Sequence, residues 1–361
     1  MTEHPAVPLS STAYGGRSVK VDCLRGIFAI FVALGHLYDM ARLNSDATGW
    51  LDVPRSLFGT NWVIGFVVIS GFLIESSVES MIKRGGGVAR YVKARATRIA
   101  PLYYVGLASA LAVEWLGGTL FGPDARPAYW LPGDWIAVLG QLLLFQNVLI
   151  GLGTFGAFAA TSTVAFEVQY YWLWAIRIRF FRNRALPIIV LVLVFLVTPL
   201  LTRSHWVLTN DVCLFWGYWL IGAYAYHYRD VLLRQPIIRM MAQIGYLWVM
   251  LFMACYLFIP APVLAKKYWL LSLLFALWLL KEARTDPSAS RRRFAALLGD
   301  ASYPVFIMHG PVGILTAWAL NAWAVEDFYL RYVSLLGATA AVSLMIVFLL
   351  ERPLMRWRRQ A

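Results

Sequence analysis

The chain alternates long apolar runs with short, base-rich polar breaks. Apolar runs lie near 22–41, 58–77, 99–117, 163–181, 186–202, 210–228, 244–260, 267–281, 302–322 and 332–350. A helix needs about 20 residues, within a range of roughly 17–25, to cross the hydrocarbon core of a bilayer. The pattern therefore predicts an all-α polytopic membrane protein with about ten transmembrane helices. The run at 267–281 is the shortest. An eleventh run, 135–151, carries Gln141, Gln146 and Asn147, which sit badly against lipid. Basic clusters at Lys83–Arg98, Arg177–Arg184, Arg229–Arg239, Lys281–Arg293 and Arg352–Arg359 separate the runs. Lys and Arg concentrate in cytoplasmic loops, so all five clusters are placed in the cytoplasm. If 99–117 leaves the cytoplasm and 163–181 returns to it, parity leaves no full span at 135–151. That run reads as a re-entrant or buried half-helix, and both termini read as cytoplasmic. Lys266 and Lys267 fall on the outer side, a small exception.

This patterning divides the chain into a polar leader (1–20), one transmembrane domain (21–351) and a basic tail (352–361), with no appended soluble domain. The leader has no apolar h-region, and the first run ends without a small-residue cleavage site, so that run reads as a retained anchor. Composition agrees. Hydrophobic residues make up 60% and charged residues 14%, against about 45–50% and 25% in soluble domains. The net charge of +13 does not indicate nucleic acid, because the bases sit in clusters between apolar runs, where anionic lipid would meet them. Cys23, Cys213 and Cys255 show neither a CxxC pattern nor metal-ligand spacing, and read as small core residues. No internal repeat of the kind common in secondary transporters is evident.

The first run holds two ionisable residues, Arg25 and His36, eleven positions apart. At about 100° per residue that spacing returns to the same helix face, about 16 Å along the axis. Charged groups at such depth usually face a bundle interior or a watery cavity. The plainer alternatives are a snorkelling Arg25 and a His36 that bonds a neighbouring helix.

Arg25, ten residues, then His36 resembles the signature of acyltransferase family 3, membrane proteins that O-acylate bacterial surface glycans. Four further stretches carry the same resemblance in order: FVVISGFLI at 66–74, YVKARATRIAPLY at 91–103 (the family's basic R-x-x-R turn), STVAFEVQYY at 162–171 and GDASYPVFIMHGP at 299–311. The third departs from the family's W-S-L pattern: its Trp is missing, while Glu167 and the aromatic pair remain. The resemblance implies a ten-helix domain in the bacterial cytoplasmic (inner) membrane. It also implies an acyl-CoA co-substrate, acetyl-CoA by default, no permanently bound cofactor or metal, and an acceptor hydroxyl on an exopolysaccharide, lipopolysaccharide or lipid-linked saccharide. In that frame His36 is the base, and Glu167 orients it or binds the acceptor. Arg25, Arg95 and Arg98 suit the phosphates of coenzyme A, Ser70 lines the acyl channel or packs helices, and Tyr170, Tyr171 and His309 contact the substrate. On topology both His36 and Glu167 fall in the outer half of the membrane, where they could meet. Direct transfer and an acyl-enzyme both fit, and the oligomeric state is not readable. A transporter of a polar or lipid-linked solute and a non-catalytic subunit of an envelope-assembly complex are the competing readings.

Overall fold

The computed structural model describes residues 19–43, 45, 58–127, 135–147, 154, 156–180, 210–256, 264–283 and 289–360. Every regular element among them is helical. In chain order these are α1 (Val19–Arg42), α2 (Thr60–Lys83), α3 (Val88–Leu120), α4 (Trp135–Leu142), α5 (Ser162–Phe180), α6 (Asn210–His227), α7 (Pro236–Gln243), α8 (Gly245–Tyr256), α9 (Leu264–Glu282), α10 (Ala289–Ala322), α11 (Phe328–Ile346) and α12 (Arg352–Gln360).

Among the described residues, five helices are long and apolar enough to cross a membrane: Val19–Arg42, Asn61–Lys83, Val88–Leu120, Arg292–Ala322 and Phe328–Arg358. The bent pair α7–α8, angled at 68°, makes a sixth if taken as one span. The expected runs at 163–181, 210–228 and 267–281 correspond to α5, α6 and α9, which are 18 or 19 residues long. The expected span at 186–202 lies outside the described residues, as do the leader up to residue 18 and residues 148–151 of the eleventh run.

Small residues let the helices approach closely, as they must where lipid supplies no hydrophobic drive between helices. α1 packs along α10, and α2 along α6. A Cβ at Gly71 would lie 1.9 Å from the Trp219 carbonyl oxygen, and one at Gly222 would lie 1.9 Å from that of Val68. At the α1–α10 seam, a Cβ at Gly26 would lie 2.1 Å from the Leu298 carbonyl oxygen.

The half-helix α4 has eight residues, about 12 Å of rise, and cannot span. The chain then turns through Leu144 and Asn147, at φ 59° and 55°. Irregular backbone at such depth needs protein partners, and the polar residues of this run supply them. Gln141 and Gln146 are wholly enclosed. Gln146 Nε2 donates to the Tyr103 hydroxyl, which donates to the Gln141 carbonyl, both at 2.9 Å. Asn147 Nδ2 donates to Ser162 Oγ at 2.8 Å. The 3-10 turn Gly156–Thr161 follows and packs on α3 and α10, so α5 starts inside the bundle and not at its surface.

One expectation changes, and two features are added to the sequence reading. The basic R-x-x-R stretch is not a turn, because it lies within the 33-residue α3, which continues through Pro101. Pro101 forfeits one backbone bond, but an apolar helix at depth has no water to replace the others if it breaks. Lys267 does not stand free at a surface: it is buried, with its ammonium 5.5 Å from the Tyr268 ring centre. The basic tail is helical, and a π-helical turn at Val347–Glu351 joins α12 to α11.

The α2–α6 contact yields a test. Gly222→Val should destabilise the protein by about 1–3 kcal/mol through overpacking, read as a lower melting temperature in detergent. Gly118→Ala, whose Cβ meets nothing within 4 Å, should leave it unchanged.

Candidate active site

Arg25 begins the site. A guanidinium inside a membrane bundle is costly unless hydrogen-bonded and paired, and α10 supplies what it needs. Nε donates to Ser302 Oγ at 2.9 Å, Nη2 donates to the Gly299 carbonyl at 3.2 Å, and Nη2 pairs with Asp22 at 3.4 Å. Arg25 is 8% exposed. It therefore does not snorkel to the interface. It staples α1 to α10 and still lines a cavity.

That cavity, about 30 Å³, is walled by Arg25, Ser70, Arg98, Glu167, Tyr171 and Tyr303, with Phe66 at one side. Ser70 and Tyr171 each donate a short hydrogen bond to Glu167 Oε1. Trp219 Nε1 donates to Ser70 Oγ at 3.3 Å. Arg98, half-buried, makes no hydrogen bond among the described residues, and its charge is faced by Asp22, Glu167 and Glu351.

Arg95 stands apart from this cavity, across Tyr171. Its Nη2 donates to Ser77 Oγ at 2.6 Å, and its guanidinium lies over Tyr91 and Tyr171. It caps an apolar cleft of about 160 Å³ between α3 and α5. Tyr170 is committed elsewhere: its hydroxyl donates to the Val212 carbonyl at 2.7 Å.

The two histidines form a second cluster on the same seam. The His36 and His309 rings stack with centroids 5.3 Å apart. His309 is wholly buried, and its Nδ1 lies 3.2 Å from the Val305 carbonyl oxygen. A carbonyl can only accept, so Nδ1 carries the hydrogen, and Nε2 is the ring nitrogen left over. That Nε2 has no hydrogen-bond partner among the described residues.

Arg25 and His36 therefore share one face of α1, as their spacing predicts. Glu167 does not join His36. It shares the cavity of Arg25 and Arg98, and its carboxylate accepts from Ser70 and Tyr171 and not from an imidazole. The reason is the depth at which α5 begins: the half-helix and 3-10 turn carry Glu167 inward. Between the two clusters stand Phe66 and Phe306, ring-stacked at 5.2 Å, with Phe306 lying 5.9 Å from the His309 ring.

Sequence reasoning missed Glu75, which is 5% exposed. Its carboxylate accepts from Trp174 Nε1 and Arg177 Nη1, both at 3.0 Å, and lies 3.5 Å from His227 Nδ1. This network ties α5 to α2 and α6. The usable signal was a carboxylate inside an apolar run. His227, given no function from sequence, belongs to it. His4 and His205 lie outside the described residues. Among the described residues no group of three or more His, Cys, Asp or Glu is placed to hold a metal.

A family model for an acyltransferase domain, that of acyltransferase family 3, matches residues 18–349. The chain belongs to acyltransferase family 3. No curated protein and no solved structure matches it. This family-3 protein is a membrane acyltransferase, which favours the enzyme reading over the transporter and scaffold readings.

In this acyltransferase, Arg25→Ala should cost about 3–5 kcal/mol of stability by leaving Asp22 buried without that partner. The check is the melting temperature of the purified protein, with Arg25→Ala/Asp22→Asn recovering part of the loss.

Proposed function

We propose that this enzyme transfers an acyl group, acetyl by default, from cytoplasmic acyl-CoA to a hydroxyl of a bacterial surface or lipid-linked glycan, as a protein of the cytoplasmic (inner) membrane. The observation that carries the reading is the α1–α10 seam, where an arginine-lined cavity and a histidine pair lie in succession, with Arg25 and His36 about 16 Å apart along α1. In this reading both termini face the cytoplasm, about ten helices cross the membrane, and the donor arrives at the end of the seam that holds Arg25 and Arg98.

Acyl transfer needs a deprotonated hydroxyl, a held thioester and a stabilised oxyanion. Arg98, with its donors unspent, and Arg25 draw the anionic donor into the cavity. Arg95 flanks its path from across Tyr171. Ser70 and Glu167 line the place where the thioester lies. Phosphates hold CoA, so the protein carries no permanently bound cofactor in this scheme. The acceptor hydroxyl approaches from the other side and gives its proton to His36. The acceptor oxygen bonds to the acyl carbon, the C–S bond breaks, and coenzyme A leaves as thiol. His309 stacks on that ring, with its Nδ1 toward the Val305 carbonyl. Tyr171 takes its place in the donor cavity wall, and Tyr170 holds α6 against it.

Membranes containing the protein, incubated with radiolabelled acetyl-CoA, provide the test. Label should reach glycan or lipid-linked sugar in the wild type. His36→Gln should lower transfer about 10²–10⁴-fold, the usual worth of a general base. Arg98→Ala should chiefly raise KM for acetyl-CoA. Undiminished transfer by His36→Gln would remove His36 as the base, and label retained on the protein would replace direct transfer with an acyl-enzyme.

A further inference from the structure

We propose that Phe66 and Phe306 form a partition that sets the length of the acyl group this enzyme accepts, admitting short chains and excluding long ones. The inference rests on the acyl-CoA reading above and adds residues that neither the motifs nor that reading assigns.

The geometry is a sequence of layers. Ser70 lies one helical turn from Phe66 on α2, and Tyr303 one turn from Phe306 on α10. Ser70 and Tyr303 wall the arginine cavity, whereas Phe306 leads on to His309. The two phenylalanine rings stack between these layers, 19° from parallel. Phe66 touches the arginine cavity and also a second, smaller one of about 10 Å³, which shares Ser70, Glu167 and Tyr303 with the first and is closed off by Phe306, Val164 and Trp219. A water molecule's share of liquid volume is about 30 Å³, so neither cavity holds an acyl chain until its walls move, and the space beside the rings is the tighter of the two.

The backbone behind Phe66 cannot retreat. A Cβ at the adjacent Gly65 would already lie 2.8 Å from ring atoms of Phe28 and Phe275. Phe306 is 2% exposed, whereas the Phe66 ring is only partly buried. Passage therefore depends on rotation of the two rings. A thioester carbonyl held near Ser70 must move past them to come within reach of His36. A methyl group follows it with little displacement, and each further methylene must find room among Val164, Thr163 and Trp219. Discrimination of this kind comes from clash with the wrong substrate and not from tighter holding of the right one.

The experiment uses the full chain in lipid nanodiscs, with acetyl-CoA, butyryl-CoA and hexanoyl-CoA as donors and glycan-containing membrane extract as acceptor. Thiol release gives turnover, and calorimetric titration with coenzyme A gives binding. Phe66→Ala and the milder Phe66→Leu and Phe306→Leu are compared with wild type, so a fold loss in the first does not end the test. The hexanoyl-to-acetyl rate ratio should rise about tenfold or more, within the range that pocket methylenes control, with coenzyme A affinity unchanged. An unchanged ratio in folded variants that bind coenzyme A normally would overturn the partition alone. A wild type that neither binds coenzyme A nor cleaves acetyl-CoA would overturn the donor reading, and the partition with it.

Discussion

A guanidinium buried between two membrane helices has few acceptable positions, and Arg25 occupies one of them. Its hydrogen bonds to Ser302 and the Gly299 carbonyl, with Asp22 beside it, set the register of α1 against α10. A slip of one residue would break these bonds and leave a charge unpaired in a low dielectric, where the cost is greatest. Gly26 and Gly299 bring the two backbones close enough for the bonds to form. The same register delivers His36 to His309 further along the seam. One structural pairing thus aligns the arginine-lined cavity with the histidine pair.

The second half of the site depends on how α5 is held. Its inner start is fixed by the half-helix and the 3-10 turn, whose polar groups are satisfied by Tyr103, Gln146 and Asn147. Its other end is fixed by Glu75, which gathers Trp174 and Arg177 from α5 and His227 from α6. Between these two anchors Glu167 and Tyr171 can turn only toward Ser70. Buried polar networks specify geometry in this way because breaking their bonds away from water is expensive.

Periodicity and charge made much of this legible. The apolar runs located α1, α2, α10 and α11, because a helix that must cross lipid has to advertise its length in apolar residues. The three amides in 135–151 marked a segment unfit for lipid: Gln141 lies buried in the eight-residue helix there, and Gln146, also buried, and Asn147 lie in the turn that follows. The eleven-residue step from Arg25 to His36 put both on one face, since helix geometry alone decides that. The ordered motifs pointed to the family, and the family model agrees over residues 18–349.

Other features depended on partners far apart in the chain. No local rule places Glu167 with Arg25 and not with His36, because its depth follows from the re-entrant segment that precedes it. The basic stretch before Pro101 looks like a turn until the helix around it is seen to continue. Lys267 reads as surface charge until packing buries it. Glu75 gains meaning from Arg177 and His227, more than a hundred residues away, and the Phe66–Phe306 pair exists only where α2 meets α10. Sequence by itself determined the helices, the membrane as solvent, the family and the shared face of α1, because these follow from local periodicity and residue type. The tertiary structure alone decided which polar groups meet at depth, because each such meeting is settled by the cost of leaving a distant partner unsatisfied.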